Sequence, residues 1–139
     1  MPIIGCTLKS IVAEKKNPVG DMMDINSTPK ITSVEERELE LVGTQTTLGI
    51  EFEFESAYKP NIGSMKFVGE LIYATKDGKA ILKTWKKDGK LSDDVDREIK
   101  NFLFKKCLTL GVNLSEELQL PPPIVFPFIV PKKEGERIK

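Results

Sequence analysis

Histidine is absent from all 139 residues. That removes the usual base of Ser–His and Cys–His nucleophile systems and the commonest nitrogen ligand for a metal. Only two cysteines are present, Cys6 and Cys107, far apart in the chain. They make neither a disulfide framework nor a zinc spacing, and they read as small buried thiols in a reduced compartment. No Gly-rich loop is followed by Lys and Ser/Thr, so no phosphate cradle is expected. No apolar run approaches the length of a membrane span, and the opening "MPIIGC" lacks the basic flank of a secretory signal. An excess of one charge is missing too: 21 basic residues balance 21 acidic ones. No net field therefore invites nucleic acid or an anionic membrane. The pairs Asp93/Asp94 and Glu116/Glu117 read as helix surface, and Lys105/Lys106 beside Phe102 and Phe104 read as one amphipathic helix. These absences point away from an enzyme, a metal or cofactor, a nucleic-acid partner and membrane insertion. They point to a cytoplasmic protein.

What is present is hydrophobic periodicity across one domain, residues 1–139. "IIGCTLKSIVAEKK" alternates as a half-buried strand. Ile4, Cys6, Leu8, Ser10 and Val12 make the apolar face, and Ile11 is an exception on the other. "NPVGDMMDINSTPK" reads as a loop. In "ITSVEERELELVGTQ", Ile31 and Val34 do not share a strand face, which suggests an irregular or bulged strand. "TLGIEFEFESAY" is strict: Leu48, Ile50, Phe52, Phe54 and Tyr58 point one way and Glu51, Glu53 and Glu55 the other. After the turn "KPNIG", "SMKFVGELIYAT" returns antiparallel. Met65, Phe67, Leu71 and Tyr73 share one face and Val68 and Ile72 the other, with Gly69 marking a bulge or a close approach.

"KDGKAILKTWKKDGK" has two readings. Asp77-Gly78 suits a hairpin that would make 79–85 a strand, but Ile81, Leu82 and Trp85 also form a helical stripe opposite Lys79, Lys83, Lys86 and Lys87. The helix, capped by Asp77 and ended at Gly89, is the reading adopted. From Ser92 a long helix follows, with acidic residues in its first turn and a stripe of Val95, Ile99, Phe102, Leu103, Cys107, Leu110 and Leu114. Gly111 is a point where it kinks or divides. The prolines from Pro121 stop it. The coda, 121–131, is too proline-rich for a helix or central strand and too apolar for a solvated linker. It is expected to fold back across the body, burying Ile124, Phe126 and Phe128; the alternative is an exposed apolar strap. A charged tail, 132–139, follows.

Several stretches resemble the SecB-like family. "LKSIVAEKKNP" (8–18) is similar to that family's first-strand pattern at Lys9, Glu14, Asn17 and Pro18. "NFLFKKCLT" (101–109) and "LQLPPPIVF" (118–126) are similar to its helical and closing segments. Small archaeal SecB-like proteins share the spacing seen here at Tyr58, Pro60, Gly63, Gly69, Leu71 and Tyr73, and the ending Leu120–Ile124. The chain departs from the export chaperones in being neutral where they are acidic toward the SecA motor, and in lacking a Pro-Tyr in the helical motif.

The resemblance implies an ATP-independent holdase for unfolded or nascent polypeptides, with a possible tie to export. The alternative is a non-catalytic module for one fixed protein partner in translation or secretion. The expected architecture is α+β: a four-stranded antiparallel sheet with the C-terminal helices packed on one face. A homo-oligomer, dimer or tetramer, is expected through strands one and four, because open edges and a second apolar face need cover. Phe67, Leu71, Tyr73, Trp85, Phe126 and Phe128 are the candidate polypeptide-binding or interface residues.

Overall fold

The computed structural model describes residues 3–20, 22–37, 46–127 and 129–131. Four strands form one antiparallel sheet: β1 (Ile3–Lys15), β2 (Asp24–Arg37), β3 (Thr46–Lys59) and β4 (Gly63–Thr75). Two helices follow, α1 (Gly78–Asp88) and α2 (Asp93–Leu118). The strand order is β1-β4-β3-β2, so the clearest alternation in the sequence, on β3 and β4, occupies the centre. The expected α+β architecture is the observed one.

The chain passes from one sheet edge to the other between β1 and β2. It does so around the β3–β4 turn, where the Lys16 and Asn17 backbone N–H groups donate to the Ile62 carbonyl at 2.7 and 3.2 Å. Asp24–Lys30, expected to be loop, belongs to β2. Pro29 is tolerated there because β2 is an edge, where one missing donor faces no neighbour. Residues 38–45, the remainder of the expected bulged strand, lie outside the described residues.

Bulges reassign two faces that strict alternation gets wrong. In β2 the register skips Thr32, so Ile31 opposes Phe52 and Val34 opposes Ile50, both on the covered face. In β1 it skips at Ile4 and again at Lys9. Each skip inverts parity. The covered face is therefore Ile3, Cys6, Leu8, Ile11 and Ala13, opposite Tyr73, Leu71, Gly69, Phe67 and Met65 in turn. Ile4 and Val12, expected inside, are exposed.

The core fills the space between this face and the helices. Leu48, Ile50, Phe52, Phe54, Met65, Phe67 and Leu71 are fully buried beneath Ile99, Leu103 and Cys107. Phe54 stacks on Phe67 at 6.4 Å and meets Phe104 of α2 edge-on at 5.6 Å. Gly69 has a packing reason: a Cβ there would come within 2.4 Å of the Thr7 carbonyl and 2.9 Å of the Phe52 ring. It marks a close approach. On the open face the glutamates meet bases, Lys9 with Glu51 at 3.0 Å and Arg37 with Glu70 at 2.6 Å, while Val68 and Ile72 of β4 lie beside β1 among them.

Both helices occur where the apolar stripes place them. Asp77 stands at the N-cap of α1 without a side-chain capping bond, and Gly89 closes the helix in the left-handed region at φ 67°. α2 runs unbroken through Gly111; its buried residues, Ile99, Leu103, Cys107, Gly111 and Ser115, step by four along one line. It ends at Gln119 (φ 53°), with Gln119 N–H donating to Glu116 and Leu120 N–H to Ser115, the Schellman pattern.

Gly111 is explained by the coda. A Cβ at this position would meet Pro123 Cγ at 3.1 Å, tighter than most side-chain contacts, and Met65 Sδ at 3.7 Å, so the bare Cα lets the returning chain pack closely against α2. Leu120 is buried, and Tyr58 OH donates to the Pro121 carbonyl at 2.6 Å. The fold-back stops there. Ile124 is half-buried, but Val125 is 94% exposed and Phe126 47% exposed, which corrects the expectation that Phe126 packs inside. Phe128 lies outside the described residues.

Phe52→Ala is expected to cost about 3–5 kcal/mol, the usual cost of a large core cavity, read by chemical denaturation. Gly111→Leu is expected to expel residues 120–124 while leaving the sheet intact. Limited proteolysis should then cut that segment, and unchanged protection there would refute the wedge.

Candidate functional site

The helices do not cover β1 fully. Between β1 and the near side of α2 lies an open groove of about 960 Å³. Its floor and walls are Ile3, Leu8 and Ile11 from the strand and Phe102 and Leu110 from the helix. The two bulges make this arrangement: the one at Ile4 brings Leu8 onto the face of Ile3, and the one at Lys9 brings Ile11 onto the face of Leu8. Ile11 is 50% exposed, and Phe102 and Leu110 are half-buried.

Polar groups sit on the lip. Asn101, Lys105, Thr109 and Asn113 line the solvent side of α2 along the groove, with Lys106 beside them. The Thr109 hydroxyl is already used, donating to the Lys105 carbonyl at 2.6 Å. At one end the Glu98 carboxylate accepts a hydrogen bond from Tyr73 OH at 2.6 Å. Burial raises the Tyr73 phenol pKa, and the Glu98 carboxylate raises it further. The phenol therefore stays a donor at neutral pH, and both partners are engaged.

The two thiols lie under this region. Burial pushes Cys107 up to about 12, with the neighbouring Cys6 adding to the shift and Lys106 opposing it. Cys6 is raised as well, by burial against the pull of Lys106. Both are protonated near neutral pH and poor nucleophiles. The chemistry available in the groove is non-covalent: apolar burial, framed by amide and ammonium groups that can meet a peptide backbone.

The residues singled out from sequence fall in different places. Phe67 and Leu71 are fully buried and Tyr73 almost so, all three facing the helices. They support the groove from beneath and present no surface to a partner, since α2 covers them. Trp85 stands apart, half-buried beside a smaller pocket of about 340 Å³ that it shares with Pro29, Ile31 and the charged Lys90, Asp93 and Asp96. Phe126 is exposed on the coda. The groove's own residues were passed over. Ile11 was visible only as a break in alternation, and Phe102 and Leu110 as members of a stripe that a core would use equally.

Among the described residues no helix is long and apolar enough to cross a membrane. Neither a family model nor a curated protein sequence matches the chain. Among solved structures it is similar to the SecB-like chaperone Rv1957 of Mycobacterium tuberculosis, in complex with a ChAD peptide from the Rv1956 HigA1 antitoxin. The TM-score is 0.52 at 11% sequence identity, over 94% of this chain and 91% of that one. The fold is thus SecB-like.

Alkaline pH offers a test of the burial beneath the groove. The folded-state pKa of Cys107 is raised from 9.0 to about 12, and that of Tyr58 from 10.0 to about 12, each by burial first. Groups with raised values stabilise the fold fully below the unfolded pKa and lose that contribution as pH climbs to the folded one. Thermal stability should hold to about pH 9 and fall toward pH 12. Tyr58→Phe should remove part of the fall and cost about 1 kcal/mol at neutral pH through its lost bond to Pro121. A melting temperature independent of pH over this window would contradict the assignment.

Proposed function

We propose that this chain is a polypeptide-binding chaperone that holds unfolded or nascent chains without nucleotide, acting in the cytoplasm. The observation that supports this best is the open apolar groove along the edge strand of a SecB-like sheet. An extended client segment would place alternate side chains against Ile11, Leu8, Phe102 and Leu110. Its backbone would meet the amides of Asn101 and Asn113 and the ammonium groups of Lys105 and Lys106. The Mycobacterium tuberculosis neighbour carries a peptide in its structure, which is consistent with polypeptide as the ligand class. Self-association through the β1–β4 region, where Ile4, Val12, Val68 and Ile72 reach solvent on the open face, belongs to the same proposal.

One observation favours a second reading. The lip is polar, and no methionine among the described residues lines the groove. Promiscuous surfaces tend to use flexible apolar rims, whereas fixed polar anchors suit one defined partner. A module dedicated to a single protein in translation or secretion fits the same geometry.

The two readings separate in one set of measurements. As a holdase, the protein should suppress aggregation of a denatured test enzyme at near-stoichiometric ratio, equally with and without ATP. Phe102→Asp or Ile11→Asp should abolish most of that protection, whereas Glu53→Gln on the open face should leave it unchanged. Protection should depend only modestly on salt, because apolar burial carries no charge to screen. No protection by folded protein at several-fold excess would reject the holdase. Recovery of one stoichiometric partner by crosslinking in the native host would then establish the fixed-partner module.

A further inference from the structure

The groove carries charge of mainly one sign in a chain whose total is balanced. Acidic residues are as many as basic ones over the whole sequence, 21 of each. None falls between Ile99 and Ser115 of α2, and none between Ile3 and Ala13 of β1, the stretches that form the two walls. Among the described residues Glu98 is the one carboxylate that lines the groove, and it stands at the end, accepting from Tyr73 OH at 2.6 Å.

Lys105 and Lys106 line the groove farther along, both exposed. Among the described residues neither makes an ion pair, whereas Arg97 and Lys100 on the same helix pair with Asp94 and Asp96. Positions three and four residues to either side of both lysines hold Asn, Thr and apolar residues, so no carboxylate is within helical reach. Burial raises both thiols beneath the groove and the Lys106 ammonium pulls both back, so its charge is within electrostatic reach of Cys6 on β1 as well as of α2. Exposed lysines on α1, such as Lys79 and Lys83, do not line this groove and keep their hydration.

A segment lying in the groove changes the surroundings of these two ammonium groups. It covers their apolar stems and sets a low-dielectric body beside their charges. A backbone carbonyl can accept a hydrogen bond from an ammonium but leaves the charge uncompensated. A carboxylate does both. A cation placed there would add repulsion to the cost of desolvation. An apolar cleft with charge of one sign also focuses its field, which favours the approach of anionic groups. Lys105 is about 10 Å along the helix from Glu98, a distance that an extended chain covers in about three residues. A carboxylate at the lysines therefore stays clear of the like charge at the end. We infer that the groove selects apolar segments bearing an Asp or Glu side chain that meets Lys105 and Lys106, and disfavours segments with a basic side chain there. This deepens the polypeptide-binding role and rests on it.

The test uses peptides of sequence TVTFTLXVT, with X as Glu, Gln or Lys, acetylated and amidated so that no terminal charge contributes. Binding to the full-length protein is measured by calorimetry at about 0.1 M and about 1 M NaCl, between which the Debye length falls from about 10 Å to about 3 Å. At the lower salt the Glu peptide should bind about fivefold tighter than the Gln peptide and the Lys peptide about fivefold weaker, the scale of two exposed ion pairs. At the higher salt the differences should shrink to about twofold or less. The double variant Lys105→Gln, Lys106→Gln, shown to be folded by its melting curve, should lose the preference at either salt. Equal affinity for the Glu and Gln peptides, a tighter Lys peptide, or a preference that survives in the double variant each overturn the inference. If the Gln peptide binds, Ile11→Asp abolishes that binding and Glu adds nothing, charge selection falls and the polypeptide-binding role stands. If no peptide binds, both fall.

Discussion

A four-stranded sheet is about 14 Å across between its outer strands, and a helix with its side chains is about 10 Å wide, so a single helix cannot cover such a sheet from edge to edge. This mismatch governs the molecule. β3 and β4 present the largest apolar side chains at the sheet centre, and α2 buries them along the line from Ile99 to Ser115. α1 sits over the β2–β3 side, with its first residue, Gly78, against Thr46 of β3. Among the described residues no second helix covers β1, and the uncovered margin is the groove. The candidate site is thus what remains when a narrow layer covers a wide one.

The coda completes the cover at the other end of α2. The Schellman turn at Gln119 reverses the chain, and the bare Cα of Gly111 admits Pro123 against the helix. A helix interior usually disfavours glycine by about 1 kcal/mol relative to alanine. Here that cost is offset by a close contact with Pro123 that a Cβ would crowd at 3.1 Å. The polyproline segment performs two jobs in sequence. Residues 120–124 seal the end of the core, and after them Val125, Phe126, Ile129 and Val130 are open to solvent.

On the sheet's other face, charge holds the surface where apolar burial does not. Lys9 and Arg37 reach the glutamates of β3 and β4, and the Arg37 side chain lies so close over Gly49 that a Cβ there would meet its Nε at 2.7 Å. The Lys9–Glu51 pair is well exposed and contributes little to stability, whereas Arg37–Glu70 is part-buried. They keep most of the open face polar; Ile4, Val12, Val68 and Ile72, toward the β1–β4 side, are apolar there.

The sequence by itself determined the elements whose periodicity is uninterrupted. Strict alternation from Leu48 to Tyr58 and the apolar stripe of α2 each permit one buried face, so the α+β class and most of the core were legible, as were the ends of both helices. Tertiary structure decided what interrupts periodicity. A bulge costs one unpaired residue, and whether it forms depends on the partner strand, so the true inner faces of β1 and β2 appear only when they are paired. For the same reason Ile11 read as an exception and became part of the groove. Phe67, Leu71 and Tyr73 read equally as core or as contact surface, because a one-dimensional pattern marks a side chain as apolar without saying which layer covers it. That choice was made by where α2 lies across the sheet, which depends on packing between residues distant in the chain.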